Sequence, residues 1–286
     1  MKIRSLILIA AAAACSSLGG CRGSGGGAEA SKPVITVSIE PQRWLLERIV
    51  GDRMEVNTLL ANGGNPESYE PAFSHLAELE RSSCYMQVGH LGFERAVLDK
   101  IKINNPGLPV VDTSEDIDLI VDDHVHSHGV DPHVWSSPRN ARVMAENMLE
   151  AVVELDEDNA DYYRANFKRL EATIDSIDGV CGALLDGADG SVFMVMHPSL
   201  SYFARDYGLR QLAVGAEGKE HSVQDTRALL DEASENNVSV FLVDKDFNAT
   251  NAAVLSGNGI RVATINPLNY EWGSELVQTA HAIAGK

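Results

Sequence analysis

Cysteine, basic charge and long apolar stretches are all in short supply in this 286-residue chain, and each shortage removes a class of function. Only Cys84 and Cys181 lie beyond the first 21 residues, and neither belongs to a Cys-x-x-Cys pair, which argues against a thiolate zinc site. They fall in segments expected to be far apart, so two buried thiols are expected rather than a disulfide. Acidic residues outnumber basic ones, 41 to 23, and the formal charge is −18. A chain so acidic makes a poor partner for nucleic acid. The apolar run Leu6 to Ala14 is about half of the ~20 residues that cross a bilayer, so no retained transmembrane helix is expected from it. No His-Glu-x-x-His pair and no Gly-x-Ser-x-Gly turn is present, which points away from an enzyme. No close sequence repeat links the two halves.

The start of the chain reads as an export signal. Met1-Lys2-Ile3-Arg4 is basic, Leu6 to Ala14 is apolar, and Leu18-Gly19-Gly20-Cys21 is a small-residue cleavage site ending in cysteine. Leucine three residues before Cys21, with glycines between, resembles the bacterial lipobox, which would make Cys21 the lipidated first residue of the mature chain. Cys15 fits less well because Ala12 holds the corresponding place, and ordinary secretion with Cys21 discarded is the alternative. Loss of Lys2 and Arg4 with the leader takes the charge to −20. Arg22 to Ser31 has no apolar period and reads as a flexible tether. The expected organisation is a signal peptide at 1–20, a lipidated tether at 21–32, an N-terminal lobe at 33–157, a linking helix at 158–186 and a C-terminal lobe at 187–286.

Eight short β-rich runs are expected: Val34 to Ile39, Glu55 to Leu60, Cys84 to Val88, Pro109 to Asp112, Val192 to Met196, Leu209 to Val214, Val238 to Val243 and Arg261 to Ile265. Four lie on each side of a central stretch without strands, and most precede helical spacing or turn chemistry. The fold class is therefore α/β: two lobes with mainly parallel four-stranded sheets, joined by a long rigid helix. Ser137-Pro138 marks a helix start. A second helix from Asn159 to Leu185 carries Tyr163, Phe167, Leu170, Ile174, Ile177, Cys181 and Leu184 in steps of four and three. At ~1.5 Å per residue it spans roughly 40 Å, long enough to brace two lobes.

Histidine is where the chain is rich. His124, His126, His128 and His133 fall within ten positions, a density that packing alone does not require. Neutral imidazole is the commonest metal-ligating side chain, so metal handling is the first hypothesis. In parallel sheets ligands bind beyond the carboxyl ends of the strands. Glu67 follows the second run, His133 the fourth, His197 the fifth and Asp244 the seventh. Taken singly, each has a plain structural explanation: a hydrogen-bonded loop histidine, or an aspartate capping the next helix. Together they place two donors on each lobe, and a cleft between the lobes would bring one divalent ion within reach of all four.

Several motifs in order resemble one family, the zinc and manganese solute-binding lipoproteins of bacterial ABC importers. They are Gly63 to Pro71 (Gly-x-x-Pro-x-x-Tyr-Glu-Pro), Val88 to Glu94, Asp131 to Trp135 (Asp-Pro-His-x-Trp), His197 to Ala204 (His-Pro-x-x-x-Tyr-Phe-Ala), Glu217 to Glu220 and Ile265 to Leu268. The resemblance covers nearly all of the mature chain. It implies two lobes on a rigid helix, one ion in the interlobe cleft, and ligands at Glu67, His133, His197 and Asp244. It also implies an auxiliary metal-capture loop at His124, His126 and His128. One position departs from the family pattern, since Glu67 stands where histidine is usual and makes the site harder and more anionic. Two imidazoles with two carboxylates also suit manganese or iron, while the histidine loop favours zinc. His75, His90, His221 and His281 need no metal role, although His90, Asp131, Tyr69 and Glu70 are placed to support ligands. The implied protein is an exported monomer, a periplasmic or cell-surface lipoprotein anchored through Cys21. It would capture Zn2+, with Mn2+ or iron as alternatives, and deliver it to an ABC permease. A metal-dependent hydrolase, an adhesin or a storage chaperone are the competing classes.

Overall fold

Val34–Ile39 alternates β-branched residues with Thr36 and Ser38, and all but the first of its six residues are buried, as befits a strand covered on both faces. The computed structural model describes residues 32–60, 66, 69–121, 129–213, 230–243 and 249–286. The leader, Cys21 and the tether up to Ser31 lie outside the described residues, as do Glu67, His124, His126, His128, Asp244, His221 and the Glu217 to Glu220 stretch.

In the first half the strands are β1 (Val34–Ile39), β2 (Glu55–Leu60), β3 (Cys84–Gln87) and β4 (Val110–Asp112). Helices α1 (Glu40–Val50), α2 (Phe73–Leu79) and α3 (Gly92–Asn104) connect them. The second half has β5 (Val192–Val195), β6 (Arg210–Ala213), β7 (Val240–Val243) and β8 (Arg261–Thr264), with α6 (Ser201–Asp206), α7 (Ala249–Gly257) and α8 (Trp272–Ala284). Residues 230–235 are also helical. Between the halves run α4 (Pro138–Leu155) and α5 (Ala160–Leu185).

Strand order is β2-β1-β3-β4 in one sheet and β6-β5-β7-β8 in the other, and every strand pair is parallel. The halves thus repeat one topology without repeating a sequence. At one expected strand end that differs, a local hydrogen bond takes the backbone group that the ladder needed. The run expected from Val238 starts as strand only at Val240. The Val238 N–H is donated to the Ala233 carbonyl at 2.8 Å, and Asn237 turns the chain with φ of 54°.

Helix α5 buries Tyr163, Leu170, Ile174 and Cys181 and half-buries Phe167, Ile177 and Leu184. Its 26 residues give about 39 Å of length. It packs against α4, α1 and α8, so both lobes lean on it. Residues 32–286 form one compact unit, and a single apolar cluster runs from Ile35 in β1 to Ile283 in α8. Cys84 and Cys181 are buried and free. Among the described residues no helix is long and apolar enough to cross a membrane.

Helix α4 begins as its sequence indicates, with Pro138 in the first turn and the Ser137 Oγ accepting from the Asn140 N–H at 3.1 Å. The same hydroxyl donates to Asp206 on α6, tying a helix start in one half to the other half. Ser137→Ala should lower the unfolding free energy by about 1–2 kcal/mol, read from urea denaturation. An unchanged midpoint would mean that neither bond contributes.

Candidate metal site

Both described candidates leave their strands at carboxyl ends. His197 follows β5 by two residues, and His133 follows β4 after the segment that includes His124 to His128. The stems of that segment meet at an antiparallel bridge between Val121 and Val130, and the Asp131 N–H is donated to the Ile120 carbonyl at 2.9 Å. The histidine-bearing stretch therefore departs and returns at the foot of the Asp131 turn.

Asp131 and His133 are each 1% exposed, which makes their pairing obligatory. Asp131 Oδ1 accepts from the His133 backbone N–H at 2.9 Å and lies 2.8 Å from its Nδ1. A carboxylate at Nδ1 accepts a hydrogen bond from the ring N–H there, which favours the tautomer whose lone pair is on Nε2. That Nε2 lies 2.9 Å from the Nε2 of half-buried His197, with the rings 72° apart. Two nitrogens bound to one tetrahedral zinc at ~2.05 Å would stand ~3.3 Å apart. Loss of the proton shared between the two Nε2 atoms and a separation of a few tenths of an ångström would convert the observed pair into two ligands.

Among the described residues no group of three donors surrounds one point. The two imidazoles are brought together, while Glu67 and Asp244, the proposed carboxylates, fall outside the described residues. Near the first of them, Tyr69 donates its hydroxyl to the Leu59 carbonyl at 2.5 Å and lies 2.5 Å from His75 Nδ1. Its ring meets Phe93 edge-on. Tyr69 thus anchors the segment that follows Glu67 to the end of β2. Glu70 is exposed. His90 sits in the β3–α3 turn.

Residues from the opposite half clamp the His133 turn. The Trp135 indole donates to the Pro267 carbonyl at 2.9 Å, and the Trp272 indole donates to the Trp135 carbonyl at 2.7 Å. Trp272 also packs on Trp44, with ring centroids 5.2 Å apart. Tyr202 donates to the Asp131 carbonyl at 2.7 Å, and Arg205 donates to the Asp118 carbonyl at 2.8 Å. Burial pushes the Tyr202 hydroxyl up to about 12, so it remains a donor across the physiological range. These contacts join α6 and α8 to the first lobe. Sequence reading assigned no role to Tyr202, Arg205 or Trp272, although Tyr202 lies in a quoted motif five residues after His197, which was the available signal.

The arrangement offers two imidazole nitrogens, one on a ring held by a buried carboxylate, from separate sheets held in a fixed relation. The model of the family described as "Zinc-uptake complex component A periplasmic" matches residues 35–276. The Bacillus subtilis high-affinity zinc uptake system protein ZnuA is 27% identical over 281 residues, covering 93% of this chain and 86% of that protein. A crystal structure of ZnuA aligns with a TM-score of 0.80 and 34% identity, over 89% of this chain and 99% of the other. The fold is also shared with the SBP FpvC from Pseudomonas aeruginosa in complex with Mn2+, with a TM-score of 0.75 at 20% identity, over 89% of this chain and 98% of that one.

Proposed function

This chain belongs to the family of periplasmic zinc-uptake component A proteins, and from that premise we propose that it captures one divalent transition metal between its lobes and delivers it to an ABC importer permease. His133 and His197 supply the nitrogen ligands and Glu67 and Asp244 the carboxylates, two donors from each lobe. The observation that carries this reading is the pair of Nε2 atoms 2.9 Å apart, contributed by different sheets, with Asp131 behind one of them. Zinc leads, because imidazole suits a borderline ion and because a high-affinity zinc uptake protein is among the relatives. Manganese is the second reading, favoured by the harder carboxylate at Glu67 and by the Mn2+ complex of a protein with the same fold.

Cys21 carries a lipid that anchors the exported chain to a membrane, and residues 22–31 give it reach. The lobes span 33–157 and 187–286, with 158–186 between them, and the chain works as a monomer. The metal is cargo, and no covalent chemistry is performed on it. Because α6 and α8 are tied to the first lobe by several buried bonds, release proceeds through the ligand-bearing loops rather than by wide opening of the lobes. Docking to the permease shifts the His133 turn, and the histidines at 124, 126 and 128 gather ions at its foot.

Metal analysis of protein purified without added metal, followed by zinc–manganese competition in a chelator-buffered titration, tests the proposal. One equivalent of metal is expected, with zinc displacing manganese at equal free concentration. Manganese displacing zinc would select the second reading. A chain that binds neither would end both.

A further inference from the structure

We propose that Tyr202 is a positioning residue that sets the spacing of the two imidazoles and, through that spacing, the preference for zinc over manganese. This inference rests on the reading of His133 and His197 as ligands. Tyr202 is fully buried on α6, the helix that begins four residues after His197. Its hydroxyl donates to the Asp131 carbonyl at 2.7 Å and accepts from the Ile120 N–H at 3.2 Å. Asp131 in turn holds both the backbone and the Nδ1 of His133. One hydroxyl oxygen therefore links the element after one imidazole to the residue that aims the other.

The path on the His197 side is stiff. The Ser199 N–H is donated to the His197 carbonyl at 2.7 Å, the Leu200 N–H to Gln211 Oε1 at 2.8 Å, and Gln211 Nε2 to Ser201 Oγ at 2.9 Å. Pro198, Ser199 and Leu200 are all buried. A shift of α6 relative to the Asp131 turn is consequently passed to the gap between the two Nε2 atoms. Zinc sites tolerate bond lengths only within about 0.2 Å of ~2.0–2.1 Å and favour four tetrahedral ligands. Manganese prefers more, oxygen-rich ligands, so loosening the imidazole pair costs zinc more than manganese.

The test is Tyr202→Phe, which removes one oxygen atom and keeps the ring. Tyr270→Phe is the matched control. The Tyr270 hydroxyl also joins the halves, donating to Glu47 Oε2 at 2.5 Å, but neither α1 nor the segment before α8 carries an imidazole ligand. Chelator-buffered titrations with zinc and with manganese, the visible spectrum of the Co2+-loaded protein, and the circular dichroism and urea midpoint of the metal-free protein are compared for both variants and the unsubstituted chain.

Tyr202→Phe should weaken zinc at least about ten-fold, lower the zinc-to-manganese affinity ratio and alter the Co2+ absorption, with secondary structure unchanged. Tyr270→Phe should leave all three metal readouts in place although its urea midpoint falls, as that of Tyr202→Phe does, through loss of a hydrogen bond between the halves. An unchanged ratio and spectrum in Tyr202→Phe would overturn the inference. So would equal zinc losses in the two variants, which would assign the effect to general loosening of the lobes. If the unsubstituted chain binds no metal, or if His133→Ala leaves its affinity unaltered, the ligand assignment itself fails and this inference falls with it.

Discussion

His133→Ala and His197→Ala should each weaken zinc binding by a hundred-fold or more, while replacing His124, His126 and His128 together by alanine should cost less than about ten-fold. Groups that merely support a ligand are typically worth ten- to a hundred-fold in metal affinity, and a ligand is worth more. His133 is nearly fully buried with its Nδ1 held by Asp131, so little ordering remains to be done when the ion arrives. Removing it takes away a bond that was already aimed. The substitutions at 124, 126 and 128 lie between stems closed by the Val121–Val130 bridge and leave the Asp131 turn as it is. Isothermal titration in competition with a chelator of known affinity measures both effects. Losses of equal size would move the binding site to the loop. For the intact site, affinity should also fall from pH 7.5 to 5, because protons compete with the metal for the imidazole lone pairs.

The second large effect concerns stability and belongs to Glu94. This side chain is 1% exposed and serves as the acceptor that organises the β3–α3 turn. Oε1 accepts from the Val88 N–H at 2.7 Å and from the Ser38 hydroxyl, and Oε2 accepts from the Gly89 and Leu91 N–H groups at 2.9 and 3.2 Å. Burial pushes the carboxyl up to about 7 from 4.5, and the donated hydrogen bonds keep it from rising further. The folded chain thus holds a proton that the unfolded chain has already released between these values. The stabilisation is complete below pH 4.5 and is lost as pH rises through 7, an effect of about 3 kcal/mol between the extremes. Glu94→Gln cannot ionise and so lacks this pH dependence, and its amide leaves the N–H groups now facing Oε2 short of an acceptor, which costs about 2 kcal/mol relative to the protonated carboxyl. The unsubstituted chain should therefore lose about 3 kcal/mol relative to Glu94→Gln between pH 4.5 and 8, starting as the more stable of the two and ending as the less stable. Urea unfolding at four pH values reads it. A difference that stays constant, or moves in favour of the unsubstituted chain as pH rises, would contradict the assignment.

Strands and long helices were legible in the sequence because their signals are local. Val34–Ile39 shows its β-branched run, Ser137-Pro138 its helix start, and the α5 stripe its period, each within a few residues. The strands after which His133 and His197 stand were visible for the same reason. The matching strand orders of the two halves were not, since a buried parallel strand needs only apolar, β-branched residues and leaves no repeat to find. The clamp around His133 was hidden by distance. Trp135 and Pro267 are 132 residues apart, and Tyr202 and Asp131 are 71 apart, so nothing local marks either bond. Glu94 was seen only as part of a motif, because its four donors converge through a turn that backbone geometry alone creates. Gly89 is one requirement of that turn. Its φ is +119°, and a Cβ there would stand 2.5 Å from Asp112 Oδ1.

The most direct test of a shared site is an anomalous difference map, recorded across the zinc edge, from crystals of the zinc-loaded protein. The account predicts one strong peak about 2.0–2.1 Å from the Nε2 atoms of both His133 and His197, with carboxylate oxygens of Glu67 and Asp244 completing the coordination. A peak that touches only one of the two imidazoles, or that lies on the 122–128 segment with His133 and His197 still paired to each other, would contradict it.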